Sequence, residues 1–395
     1  MDIRALTAKR SAAVWLDAET ADFDAFRAAV SQKTCAADWP LSAGVAENVL
    51  LYDGGAATRA ATDPGARRDL MAEWATALST GPGVLVIKNA MPDMAALDRA
   101  TAIFETLIEE ERKAGSGGGD HFAKPGANDR VWNAAEKHCL ADPENFARYY
   151  ASDAIAMVSE AWLGIGYQIT AQVNRVNPGG TAQTPHRDYH LGFMSPTEMA
   201  RFPAHIHAIS PVLTLQGAVA HCAMPVETGP TMLLPYSQTV FDGYLSFGRP
   251  EYRDYFETHH VQLPLEKGDA VFFNPALMHG AGTNRSADIR RMANLLQVSS
   301  AFGRAMETVD RLRMVRALYP VLRDGGLGLA PRAVANVIAA SAEGYAFPTN
   351  LDRDPPVGGM APRSQAARMA EALAARQTAE VFDAAMTAHA ATRLS

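Results

Sequence analysis

Hydrophobic and polar positions divide the chain into three stretches with different rhythms. Over residues 1–165 apolar residues recur mainly at helical intervals. Asp69–Ser79 has that spacing, and so does a run behind Asp93, a residue suited to capping a helix, in which Leu97, Ile103, Phe104, Leu107 and Ile108 repeat as far as Lys113. Between these two, Gly83–Lys88 reads as a buried strand. A glycine-rich segment over residues 115–119 then leads into a polar loop carrying His121, Lys124, Asn128, Asp129, Arg130 and Trp132.

Over residues 166–302 the rhythm shortens. Tyr167–Val176, Val212–Ala220, Thr231–Leu234, His260–Leu265, Ala270–Phe273 and Ile289–Val298 are β-rich runs separated by Gly, Pro and Asn. Strands so short and so closely spaced predict an all-β core, an antiparallel sandwich or barrel rather than a parallel α/β sheet. Helical periodicity returns over residues 303–395, in Met306–Leu318, Arg332–Ser341 and an Ala-rich segment predicted as one helix over Ser364–His389. The division expected is therefore an N-terminal, mainly helical region packed on a catalytic β-core, followed by a C-terminal helical extension. The extensions are also where a homo-oligomer contact is expected.

Composition narrows the function. At 395 residues and 48% hydrophobic the chain can bury a large core, and its net charge of −7 comes with no Lys/Arg block, which speaks against nucleic acid or an anionic membrane as partner. The three cysteines, Cys35, Cys139 and Cys222, are far apart and form neither a disulfide framework nor a zinc motif. No apolar run approaches the length of a membrane span, and the N-terminal stretch breaks its apolar residues with charge, so a cytoplasmic location is expected.

The chemistry sits in the middle region. In Thr184-Pro185-His186-Arg187-Asp188 alternate residues of a strand share a face, so His186 and Asp188 can address one metal ion. Alone this H-x-D is weak, because a chain with 11 histidines produces one easily by chance. A second histidine, His279, follows the β-run Ala270–Phe273. Two histidines and one carboxylate make the facial triad that holds Fe(II) and leaves positions open for a bidentate co-substrate and O2. Such a co-substrate, a keto diacid, needs its distal carboxylate anchored, and an arginine does this with a bidentate pair. Arg290 and Arg291 adjoin in one predicted strand and must face opposite sides. Arg290 is taken as the anchor.

The segments around His186-Arg187-Asp188 and His279–Arg285, with Arg290 beyond them and Gly229–Gln238 between them, resemble the phytanoyl-CoA dioxygenase family over roughly residues 80 to 300. The resemblance implies a double-stranded β-helix core, Fe(II), and 2-oxoglutarate and O2 as co-substrates. It also implies hydroxylation of an aliphatic carbon of a small molecule, with release of succinate and CO2. Gln172, Asn174 and Gln183 stand where related hydroxylases place side chains that bind 2-oxoglutarate. Tyr189 is expected to line the pocket, and Lys124 or Arg130 to contact an anionic group of the substrate. Arg187, Gln238 and Ala281 depart from residues frequent in the fatty acyl-CoA members, and no basic cluster suits CoA phosphates, which argues against an acyl-CoA substrate. Asp188 argues against a halogenase, which leaves that ligand position open. Desaturation, cyclisation or epimerisation by the same iron chemistry, or a non-catalytic metal-binding barrel, are the alternatives.

Overall fold

The computed structural model describes residues 3–114, 126–325 and 327–395. Ten strands form: β1 (Gly44–Ala46), β2 (Val49–Asp53), β3 (Val84–Lys88), β4 (Asn128–Val131), β5 (Gln168–Val176), β6 (Thr214–Ala220), β7 (Met232–Leu233), β8 (Ala270–Phe273), β9 (His279–Gly280) and β10 (Arg291–Ser299). Eight of them make one sheet in the order β1-β2-β3-β8-β6-β10-β5-β4, antiparallel throughout except for β2 with β3. The second sheet is small. β7 pairs with β9, and isolated bridges add His186 on one side, opposite His279, and Val261 on the other, opposite Leu233. From β5 to β10 the chain passes between the two sheets, which places a cavity between them: the double-stranded β-helix with flanking helices.

The large sheet is buried on both faces, so several of its strands, β3, β6 and β8 among them, read as largely apolar runs. One face, with Leu85, Ile87, Val173, Leu215, Phe272, Leu296 and Val298, packs against helices Pro64–Ser79, Met94–Lys113, Asp153–Leu163 and Arg311–Arg323 in the main core. The opposite face, with Val84, Val86, Ala218, Ala220, Val271 and Phe273, forms a second cluster that lies towards the cavity. Local signals explain the helix bounds. Asp93 accepts from the Ala96 N–H at 2.9 Å, as its position predicted.

Three expectations need correction. The N-terminal stretch is not separate from the β-core, because β3 lies inside the large sheet and β4 closes one edge on β5. His260–Leu265 forms bridges but no continuous strand. The Ala-rich segment is two helices, Gln365–Ala374 and Ala379–Thr392. Arg376 takes a positive φ of 50°, and the Thr378 side chain caps the second helix.

Candidate metal and co-substrate site

His186, Asp188 and His279 converge on one point, their nearest donor atoms all within 4.8 Å of one another. Backbone pairing brings the histidines together: His186 N donates to His279 O at 2.9 Å and His279 N to His186 O at 3.1 Å. Asp188 N donates to Pro275 O, which ties the H-x-D stretch to the turn preceding His279. Each imidazole is then oriented by a carbonyl. Nδ1 of His186 lies 2.8 Å from Thr184 O, and Nδ1 of His279 lies 2.8 Å from Leu277 O. A carbonyl only accepts, so each Nδ1 carries a proton and each Nε2 is the atom left to bind a metal. Both Nε2 atoms face Asp188, at 3.6 and 3.5 Å. This is the donor set and tautomer state that a divalent metal requires.

The Asp188 carboxylate is held ionised. Burial acts against its charge, but His279, His186 and the Gln216 amide outweigh it and bring the pKa down to about 2. Gln216 Nε2 donates directly to Asp188 Oδ2. That contact was not foreseen from the sequence. The one available signal was a lone glutamine inside the otherwise apolar run Thr214–Ala220. Immediately after Asp188, Tyr189 and His190 take positive φ values of 63° and 41°, a bend of the strained kind that clusters at functional sites. Arg187, between the two ligands, is fully buried. Its guanidinium donates to Ser237 O, while Ser237 Oγ accepts from Met278 N at 2.8 Å. One serine thus links both halves of the triad.

A cavity of about 500 Å³ opens over the triad. His186, Asp188, His279, Gln172, Asn174, Gln183 and Arg130 all line it. Arg130 stacks over Trp132 with its guanidinium 5.0 Å from the ring centre. Gln172 directs its amide to Met306 Sδ, and Gln183 Oε1 accepts from Ala281 N. Lys124 falls outside the described residues. Tyr189 is buried but does not line the cavity, because the bend at its own backbone turns its side chain towards Phe193, 6.0 Å away between ring centres.

The arginine assignment is reversed. Arg290 is exposed in the loop before β10 and does not reach the cavity. Arg291, the first residue of β10, is buried and lines it. The two do face opposite sides, but the strand's parity is the other one. Arg291 lacks a carboxylate partner among the described residues, and its buried Nη1 has no hydrogen-bond acceptor. Burial pushes its pKa down to about 10, the signature of a cation short of a counter-charge. Asn174 is its diagonal neighbour across β5 and β10, with a buried Oδ1 that is equally unpartnered.

The family model described as Phytanoyl-CoA dioxygenase (PhyH) matches residues 80–292, more than half of the chain. A "Probable phytanoyl-CoA dioxygenase" of Caenorhabditis elegans is 34% identical over 61 residues, 15% of this chain and 20% of that protein. "Dioxygenase trt7" of Aspergillus terreus is 26% identical over 223 residues, 53% of this chain and 67% of its own length. The chain thus matches only a fifth of the nematode protein. Among solved structures, the non-heme alpha ketoglutarate dependent epimerase SnoN from nogalamycin biosynthesis is 20% identical with a TM-score of 0.41, covering 60% of this chain and 82% of that one. The carbocyclase SnoK from the same biosynthesis is 19% identical with a TM-score of 0.39, covering 56% and 80%. No helix among the described residues is long and apolar enough to cross a membrane.

Proposed function

The chain belongs to the phytanoyl-CoA dioxygenase family, and we propose that it is an Fe(II)- and 2-oxoglutarate-dependent oxygenase that hydroxylates an aliphatic carbon of a small molecule. The observation that carries this reading is Arg291, a buried cation without a carboxylate partner among the described residues, in the same cavity as a His-Asp-His triad. A site built only to hold metal needs no such group, whereas a metal-chelating diacid does. His186, Asp188 and His279 would hold the iron through two Nε2 atoms and one carboxylate oxygen. When bound, iron and 2-oxoglutarate supply the oxidising power: O2 is consumed, the keto acid leaves as succinate and CO2, and a substrate C–H becomes C–OH.

The protein's own residues supply placement. Thr184 O and Leu277 O hold the imidazole planes, so the ligands need little reorganisation when metal arrives. Gln216 donates to Asp188 Oδ2, the oxygen that also faces His279, and leaves Oδ1 to face His186. Arg291 receives the distal carboxylate of 2-oxoglutarate, and Asn174, beside it, offers its amide. Gln183 closes the same end. The apolar walls, among them Val271, Phe273, Leu295 and Phe247, exclude water from the reacting carbon.

The direct test is anaerobic titration of the Fe(II) protein with 2-oxoglutarate, followed by the weak visible charge-transfer band of the chelate. The band should appear in the native protein and be lost in Asp188→Ala. Iron that binds without any band would sink the co-substrate reading. Mass spectrometry of product, with gain of one oxygen atom, separates hydroxylation from desaturation or epimerisation.

A further inference from the structure

Three strands of the large sheet set their cavity-facing residues in rows: Gln216 beside Gln297, Ala218 beside Leu295 and Gln172, Ala220 beside Ala293 and Asn174. Arg291 and Gln297 mark opposite ends of these rows on β10, about 20 Å apart at the rise of an extended strand. A short diacid reaching from the triad to Arg291 leaves the Gln297 end for another molecule.

That end carries unmet hydrogen-bonding capacity. Gln216 and Gln297 are 5% and 7% exposed, both line the cavity, and the Oε1 atom of each is buried without a partner among the described residues. The orientation of the Gln216 amide is forced. Asp188 only accepts, so the Gln216 NH2 must face it, and Oε1 is left as an acceptor. Leaving two buried amide oxygens unmatched side by side costs free energy that a ligand group between them would recover.

We infer that Gln216 and Gln297 together recognise a hydroxyl group of the substrate, which is a neutral, largely apolar alcohol whose hydroxyl sits close to the carbon that reacts. A hydroxyl both donates and accepts. The Gln297 amide, turned over, brings Nε2 to the place of its unpartnered Oε1, so the hydroxyl donates to Gln216 Oε1 and its oxygen accepts from Gln297 Nε2. A carboxylate cannot donate to Gln216, so it meets only the Gln297 side. The surrounding wall, with Leu295, Val271, Phe273 and Phe193, suits an alicyclic or branched hydrocarbon body. Because Gln216 also holds the metal-binding carboxylate, the hydroxyl is placed beside the triad. The inference rests on the oxygenase reading in that Arg291 is taken up by 2-oxoglutarate.

The test uses Zn(II)-loaded protein saturated with 2-oxoglutarate. Binding of cyclohexanol, cyclohexanecarboxylate and cyclohexylamine is followed by ligand-observed NMR, and 2-oxoglutarate affinity is measured separately by calorimetry. Cyclohexanol should bind best of the three. Gln297→Leu should weaken it by about two- to tenfold, the worth of one neutral hydrogen bond, with 2-oxoglutarate affinity and melting temperature unchanged. Gln297→Met, similar in volume and unbranched, should do the same if the leucine variant packs badly. Equal cyclohexanol affinity in both variants, equal or tighter binding of the acid or the amine, or no binding of any of the three would overturn the inference. Absence of 2-oxoglutarate binding in the native protein would instead overturn the oxygenase reading beneath it.

Discussion

Replacing Arg291 by Gln should do opposite things to co-substrate binding and to the stability of the free protein. In the free protein Arg291 is a cation at 7% exposure with an unsatisfied Nη1 and no carboxylate partner among the described residues. Removing that charge relieves a desolvation cost, so metal-free Arg291→Gln should be as stable as the native chain or more stable by about 1–2 kcal/mol. Binding of 2-oxoglutarate moves the other way. Each hydrogen bond between ionised groups contributes about 1.5–3 kcal/mol, and the fork of an arginine makes two. Part of that is already spent on burying the guanidinium, so a net loss of about 3 kcal/mol, roughly a hundredfold in Kd, is expected. Arg291→Lys keeps the charge without the fork and should lose about tenfold. Arg290→Gln, at an exposed position, should change Kd by less than about twofold. Calorimetric titration of 2-oxoglutarate into the Fe(II) protein under argon gives the affinities, and urea unfolding of the metal-free protein gives the stabilities. Unchanged affinity in Arg291→Gln, or the larger loss in Arg290→Gln, would refute the assignment of the anchor to β10's cavity face.

Other perturbations probe the frame around the site. Arg187→Met leaves the carbonyls of Ser237 and Val240 with only the backbone N–H groups of Val240 and Gly243 as donors and should cost about 2 kcal/mol in urea unfolding. Gly243→Ala should be destabilising too, because its Cβ would lie 2.0 Å from the buried guanidinium, which thermal unfolding will report. Gln216→Leu should weaken Fe(II) binding by about 10- to 100-fold, measured by competition with a chromophoric chelator. His221 and His138, beneath the sheet, are neutral by burial, with pKa values pushed down to about 3 and about 4. Their unfolded values lie higher, near 6.5, so the unfolded chain takes up protons first as pH falls. Stability is then full above pH 6.5 and drops between there and about pH 4, by about 2 kcal/mol per histidine at pH 5. His221→Gln should flatten that slope in urea midpoints measured against pH.

The triad was legible in the sequence because its logic is local. A two-residue spacing in extended chain puts His186 and Asp188 on one face, and it does so here although only an isolated bridge at His186 forms and no strand. The distal histidine followed from a β-run that proved to be β8, Ala270–Phe273, at its predicted bounds. Arginine parity was not local. In a strand with one wet face, polar and apolar residues alternate and fix which side is which, but β10 is buried on both faces. Met292, Leu296 and Val298 pack into the helical core, while Ala293, Leu295 and Gln297 face the cavity. Leucines stand on both sides, so hydrophobicity gives no phase. Beginning the strand at Ile289 rather than Arg291 left the choice between neighbouring arginines without a reference. The weak signal present was size and polarity: Ala293 and Gln297 share a parity with Arg291, and a face of small and amide residues in a buried strand is one that makes room for something. The same reasoning would have picked out Gln216, which register places directly opposite Gln297. In a strand apolar on both faces, the residues that do not fill space show where the ligand lies.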